Sequence, residues 1–340
     1  MTPCVSRGWY SREAGGKKGV GWRPFPLFEP RGYALSGDER ETRNGGHAVV
    51  GGVAVRESPS HWEKDEIMEK YRTHVIRATG MAIIACSLFA ACSTVPVTGR
   101  QQLSLVSSSE MLAMGSQQYD EFLKSNNIVP AGDSRTVMVR KVGKNIQSAV
   151  EQYFRQHNLS LSGYGWEFNL VDSKEANAWC MPGGKVVAYT GILPLTSNEA
   201  GLSVVLGHEI AHAVAGHGDE RMSQGLLAQL GGMALSQALS EKTQETQQLW
   251  MSAYGVGVQY GALLPFSRVQ ESEADHLGLI FMAMAGYDPR EALSFWQRMG
   301  QHNGGQGPPE FMSTHPSDES RIASIRDELP EALTYYRKPS

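Results

Sequence analysis

Two histidines four residues apart with a glutamate beside the first, His208-Glu209-Ile210-Ala211-His212, constrain this chain more than any other feature. On an α-helix, side chains four positions apart lie about 40° apart around the axis, so both imidazoles can reach one ion. Glu209 can then point at the ion's open position and accept a proton from a water whose pKa the metal has lowered. The segment is built to be helical. Thr196 and Glu199 form a capping-box pattern, and Leu202, Val205 and Leu206 follow, which predicts a helix over residues 199–217.

Two candidates for a further ligand follow in the sequence. His217 would suit the metzincin pattern HExxHxxGxxH, but that pattern needs a histidine where Gly218 stands and a glycine where Ala215 stands. Continued as helix, the chain also carries His217 roughly to the face opposite His208, so it reads as a surface histidine. Glu271 and Asp275 share a helix face, so one carboxylate can bind a metal while the other orients a ligand imidazole. Glu273, between them, is expected on the far, solvated side.

The first 91 residues read as separate from the fold. From Met68, a region carrying Lys70, Arg72 and Arg77 precedes an apolar run over residues 81–91, which is too short to span a bilayer. It ends in Leu88-Phe89-Ala90-Ala91-Cys92, which resembles the lipobox of bacterial lipoproteins. The organisation expected is therefore an upstream extension (1–67), a signal peptide (68–91), an anchor and polar lead-in (92–106) and the enzyme domain (107–340). Cys92 becomes the lipidated first residue of a periplasmic protein. In that resemblance Ser93 implies delivery to the outer membrane.

Of the four cysteines, Cys4, Cys86, Cys92 and Cys180, none makes a CxxC pair, and Cys180 reads as a small core residue. The net charge of -4 comes with no basic stripe, so no nucleic-acid partner is expected.

Helical periodicity predicts helices over residues 111–123, 135–154, 222–239, 248–264, 269–284, 289–299 and 317–329. Alternation over 166–171 predicts one strand, and β-formers over 185–190 predict a second that follows a turn at Met181-Pro182-Gly183-Gly184. The Leu-, Ala- and Met-rich stretch 226–239 is interrupted by Gln229, Ser236 and Gln237, and reads as a buried helix. A lone His315 in a loop is equally consistent with a surface residue and with a site residue.

His208 to His212, together with Ser267-Arg268, Glu271, Ala274-Asp275 and Thr314-His315-Pro316, resembles the gluzincin metallopeptidases of the HtpX, CAAX-prenyl-protease and Oma type. Asn177-Ala178-Trp179, Pro182-Gly183-Gly184 and Thr190-Gly191 resemble that family's strand region. Pro96-Val97-Thr98-Gly99-Arg100 is similar to its periplasmic lipoprotein branch.

The resemblance implies a predominantly helical α+β fold with a small sheet, and one zinc ion held by His208, His212 and Glu271. It also implies Glu209 as general base, Asp275 behind a ligand, and His315 and Arg321 near the site. His315 or Arg321 then stabilises the oxyanion, or His315 is a fourth ligand that gates the zinc. Substrate is expected to add to the edge of a strand comprising Lys185, Val186, Val187, Ala188, Tyr189 and Thr190.

The expected substrates are misfolded envelope proteins, outer-membrane proteins among them. A chaperone that assembles outer-membrane proteins with little proteolysis is the alternative. With no membrane-spanning segment and no TPR array in the mature chain, prenyl-protein processing and a TPR helper domain are not expected.

Overall fold

The computed structural model describes residues 68–72, 74–75, 79, 92–259, 263–301, 311–312, 315 and 319–336. Contacts divide the chain into Met1–Ser87 and Leu88–Ser340. In the first unit the described residues are helical; the expected extension at 1–67 and the apolar run at 81–91 lie outside the described residues.

The second unit is a mostly helical α+β fold, as expected. It opens with an antiparallel hairpin, β1 (Cys92–Thr94) and β2 (Gln101–Leu103), in which Cys92 faces Leu103. Helix α1 (Ser108–Ser125) starts at a complete capping box of Ser107 and Glu110, and α2 (Ser134–Gln156) is capped by Asp133. The apolar positions of α2 that recur at helical spacing, Val139, Val142, Ile146 and Val150, are fully buried.

A three-stranded sheet follows, made of β3 (Glu167–Val171), β4 (Ala178–Met181) and β5 (Lys185–Tyr189). Its order is β3-β5-β4, with β5 parallel to β3 and antiparallel to β4. Lys185, Val186, Val187, Ala188 and Tyr189 therefore form the central strand, and Thr190 already belongs to a 3-10 turn. Both ladders of β5 are occupied, so the expected addition of a peptide to this strand is corrected: among the described residues the open edge beside it is β4.

The remaining helices are α3 (Leu193–Thr196), α4 (Glu199–Ala215), α5 (His217–Ala238), α6 (Gln244–Val258), α7 (Leu264–Met284), α8 (Glu291–Gln301) and α9 (Glu319–Tyr335). The cap of α4 is Asn198, whose side chain accepts from the Gly201 amide, while the Thr196 hydroxyl turns back to the Leu193 carbonyl. Gly216 ends α4 in the left-handed conformation (φ 75°), so His217 opens a new helix rather than continuing the old one.

Only the first two turns of α5 contribute buried residues: His217, Glu220 and Ser223. Beyond them Leu230 and Met233 are 59% and 62% exposed, so the expectation of a buried helix over 226–239 fails. The stretch pairs instead with α6, where Tyr254 donates to the Ala228 carbonyl. No helix among the described residues is long and apolar enough to cross a membrane.

Helix α4 is buried over nearly its whole length. Its closest neighbour is α7, and the two cross at paired glycines. A Cβ on Gly207 would lie 3.1 Å from the Gly278 carbonyl oxygen, and one on Gly278 would lie 3.0 Å from the His208 amide nitrogen. Larger residues would hold the backbones apart, and with them the side chains of His208 and Glu271. Gly278→Val is accordingly expected to lower stability by about 1–3 kcal/mol in urea unfolding of the metal-free chain and to weaken zinc binding as well. Unchanged values of both would show that the crossing does not set the site.

Candidate metal centre

His208 and His212 lie on one face of α4, with Nε2 atoms 3.1 Å apart. Glu271, from the facing helix α7, brings its carboxylate oxygens to 3.3 Å from each of these nitrogens. His315 enters from the segment before α9, with Nδ1 3.1 Å from His208 Nε2 and 2.9 Å from Glu271. These four residues, all buried, bring one ligand atom each to within 4.8 Å of one another.

The outer face of each α4 imidazole is also engaged. His208 Nδ1 lies 2.9 Å from Asp275, which Arg321 grips through Nε and a terminal nitrogen at 2.7 and 2.8 Å. Arg321 stacks on Trp296, 3.7 Å from the ring centre, and donates to the His315 carbonyl. The charge of Arg321, with the His208 bond, outweighs burial and holds the Asp275 carboxyl below its ordinary value. On the other side, His212 Nδ1 meets His217 Nδ1 at 2.8 Å, and His217 Nε2 meets Glu273 at 3.0 Å.

His217 is fully buried and Glu273 is 8% exposed, which corrects both expectations for these residues. The break at Gly216 redirects His217 inward. The face of α7 that carries Glu273 is covered by the turn between β1 and β2, so solvent does not reach it.

The donor set fits a metal cation. When each Nδ1–H donates outward, to Asp275 and to His217, both Nε2 lone pairs face one point that Glu271 also faces. Glu209, Glu271 and Asp275 set three buried carboxylates against one buried guanidinium, that of Arg321, with Arg221 at the exposed side, an excess that a dication would offset. Burial opposes a charged His208, yet Asp275 and Glu271 raise its imidazole to about 9, so a proton and a metal ion compete for the same electron pair. Burial lowers His212 well below its ordinary value and keeps it a neutral donor. Against burial, the three imidazoles hold Glu271 far below the carboxylate range.

Glu209 is 4% exposed, and one of its buried oxygens has no hydrogen-bond partner; His315 Nε2 lies 3.3 Å from it. Burial raises the Glu209 carboxyl, partly offset by the imidazoles of His315 and His208. Such a group is poised to take and return a proton. Cys180, on β4, has its thiol raised well above the ordinary value by burial and by Glu209, in keeping with an unreactive residue.

Every residue that sequence reasoning named for the centre itself, His208, Glu209, His212, Glu271, Asp275, His315 and Arg321, is therefore gathered at one place. What it missed is the side of the centre on which His212 meets His217, His217 meets Glu273 and Glu273 accepts from Arg100. The only available signal there was the Pro96–Arg100 motif, which carries no chemistry that spacing alone could reveal.

The chain is similar to known metalloendopeptidases. The fission yeast (Schizosaccharomyces pombe) mitochondrial metalloendopeptidase OMA1 is 33% identical over 70% of this chain and 66% of its own length. Human OMA1 is 31% identical over 70% of this chain and 46% of its own length. The beta-barrel assembly-enhancing protease of Escherichia coli is 30% identical over 48% of this chain and 34% of its own length. The description "Peptidase family M48" matches residues 141–329, more than half of the 340 residues and including His208, His212, Glu271, Asp275, His315 and Arg321. The chain belongs to peptidase family M48.

Proposed function

We propose that this chain is a zinc-dependent endopeptidase that hydrolyses peptide bonds in misfolded or misassembled proteins of a bacterial envelope. The observation that carries the reading is the convergence of His208, His212 and Glu271 with a buried, under-bonded Glu209 beside them. His208 and His212, through Nε2, and Glu271, through its carboxylate, would hold zinc. Once bound, zinc supplies Lewis acidity to the attacking water and to the scissile carbonyl.

Glu209 takes the proton of the attacking water and returns it to the leaving amine. Burial favours this role, because it makes the carboxylate a stronger base than an exposed glutamate. Asp275 keeps the proton of His208 on Nδ1 and so its electron pair on Nε2. Arg321, spent on Asp275 and stacked on Trp296, acts as a support for Asp275 rather than as an oxyanion donor. His315 Nδ1, 3.1 Å from His208 Nε2, would be a fourth ligand in a resting, gated enzyme. Its Nε2 lies 3.3 Å from Glu209, so the ring, when not engaged with the ion, would be placed to donate to a developing oxyanion.

An extended substrate adds to β4 (Ala178–Met181), the open edge packed beside α4. Main-chain pairing reads little of the sequence, which suits clearance of unfolded chains. The name of the E. coli relative, beta-barrel assembly-enhancing protease, favours outer-membrane proteins as substrates. A lipidated Cys92 would hold the enzyme to the periplasmic face of the outer membrane.

For the full chain, zinc near one per molecule and cleavage of casein are expected. Glu209→Gln should abolish cleavage, by a factor of about 100–10,000, while zinc stays bound. Retained cleavage in Glu209→Gln would remove Glu209 as the base, and absence of zinc from the wild type would remove the metallopeptidase reading. If Glu209→Gln restores growth to a deletion strain as well as the wild type does, the chaperone role replaces the proteolytic one. For the anchor, radiolabelled palmitate should enter the wild type and not Cys92→Ala; label persisting in the variant excludes Cys92 as the lipidated residue.

A further inference from the structure

The turn between β1 and β2 stands on the metal centre from the side opposite Arg321. Val95 and Gly99 close this turn through main-chain bonds, with Gly99 at φ 70°. From it Arg100 reaches inward. Its terminal nitrogens donate to the two oxygens of Glu220 at 2.9 and 2.8 Å, and its Nε donates to Glu273 at 2.8 Å. Thr98 donates to the other oxygen of Glu273. Gln270 completes the shell of Glu220 at 2.8 Å, and Gln102, on β2, donates to the Ala215 carbonyl at the end of α4.

Glu273 is thereby fixed at both oxygens and faces His217 Nε2, which in turn faces His212. With Nε2 of His212 turned to a metal ion, its proton is on Nδ1 and needs an acceptor. Two groups lie there, His217 Nδ1 at 2.8 Å and an Arg221 nitrogen at 3.2 Å. Arginine has only donors, so His217 must be the acceptor. Its own proton is then on Nε2, directed at Glu273, and each proton in the run from His212 to Glu273 has an acceptor; the Arg221 nitrogen, itself a donor, stands outside this run.

We propose that Thr98 and Arg100, through Glu273 and His217, form a positioning relay that orients the His212 imidazole for metal binding. The turn that follows Cys92 is thus a working part of the metal centre. This inference rests on the metallopeptidase reading. It assigns a role to His217, Glu273 and the Pro96–Arg100 motif, none of which that reading requires.

The test is zinc affinity, by chelator competition, of the full-length wild type, His217→Phe, His217→Gln and Arg100→Lys, alongside urea unfolding of each metal-free protein. His217→Phe, which keeps the ring but neither nitrogen, should weaken zinc by about 10–100-fold. His217→Gln, whose amide carries both an acceptor and a donor, should recover most of that loss. Arg100→Lys keeps the charge but cannot fork between Glu220 and Glu273, so zinc should weaken by a smaller factor. If His217→Phe fails to fold, the Arg100→Lys comparison decides.

Affinities in which His217→Phe and Arg100→Lys both stay within about twofold of the wild type, the wild type itself binding zinc and cleaving casein, overturn the relay alone. A glutamine variant no better than phenylalanine also overturns it, since filling space would then be the whole role of His217. A wild type without zinc overturns both the relay and the peptidase reading.

Discussion

Polar groups withdrawn from water have to find partners, and the region between α4 and α7 holds His208, Glu209, His212, Glu271, Glu273 and Asp275, all buried. The crossing of α4 and α7 at Gly207 and Gly278 makes this arrangement possible. It brings two helix backbones close enough for Glu271 to reach both ligand imidazoles and for Asp275 to reach the back of His208. Burial makes the charges strong and also makes any unpaired one costly, so each side chain at the crossing limits what its neighbours can be. The apolar lining, Trp296 and Phe311 against His208, keeps water from taking up those bonds.

The chemistry legible in the sequence was the part that obeys one helix at a time. His208 and His212 are four apart on α4, and Glu271 and Asp275 four apart on α7, so each pair could be assigned to a face without knowing how the helices meet. Positions past the end of a helix, or covered by a distant segment, do not follow that rule. His217 is nine residues from His208 and would face away on a continuous helix; Gly216 breaks that helix and turns the ring inward. Glu273 does point away from Glu271, as its spacing requires, but a hairpin more than 170 residues earlier in the chain covers it.

The sheet order and the exposed part of α5 differ from expectation for similar reasons. Residues 185–189 have the composition of a strand, which is correct, but whether a strand is central or at an edge depends on partners that composition does not name. β4, only four residues with no clear alternation, was visible only through a family resemblance. Along α5, Leu230 and Met233 are the residue types of a core helix, and burial is decided by what packs against them rather than by the residues.

The two ligand histidines of α4 are supported from opposite directions. Behind His208 stand Asp275 and then Arg321, contributed by α9 near the end of the described chain. Behind His212 stand His217, Glu273 and then Arg100, contributed by the first hairpin of Leu88–Ser340. Each run ends on a guanidinium that is itself held at several points; rotation of the His208 ring breaks a charge-assisted bond to Asp275, and rotation of the His212 ring breaks the bond to His217, which Glu273 holds in place. A metal ion seated between the rings would therefore be felt at both ends of this unit, and loosening either end would be felt at the ion. The metal centre is in this sense a point at which the first hairpin and α9 are joined through side chains.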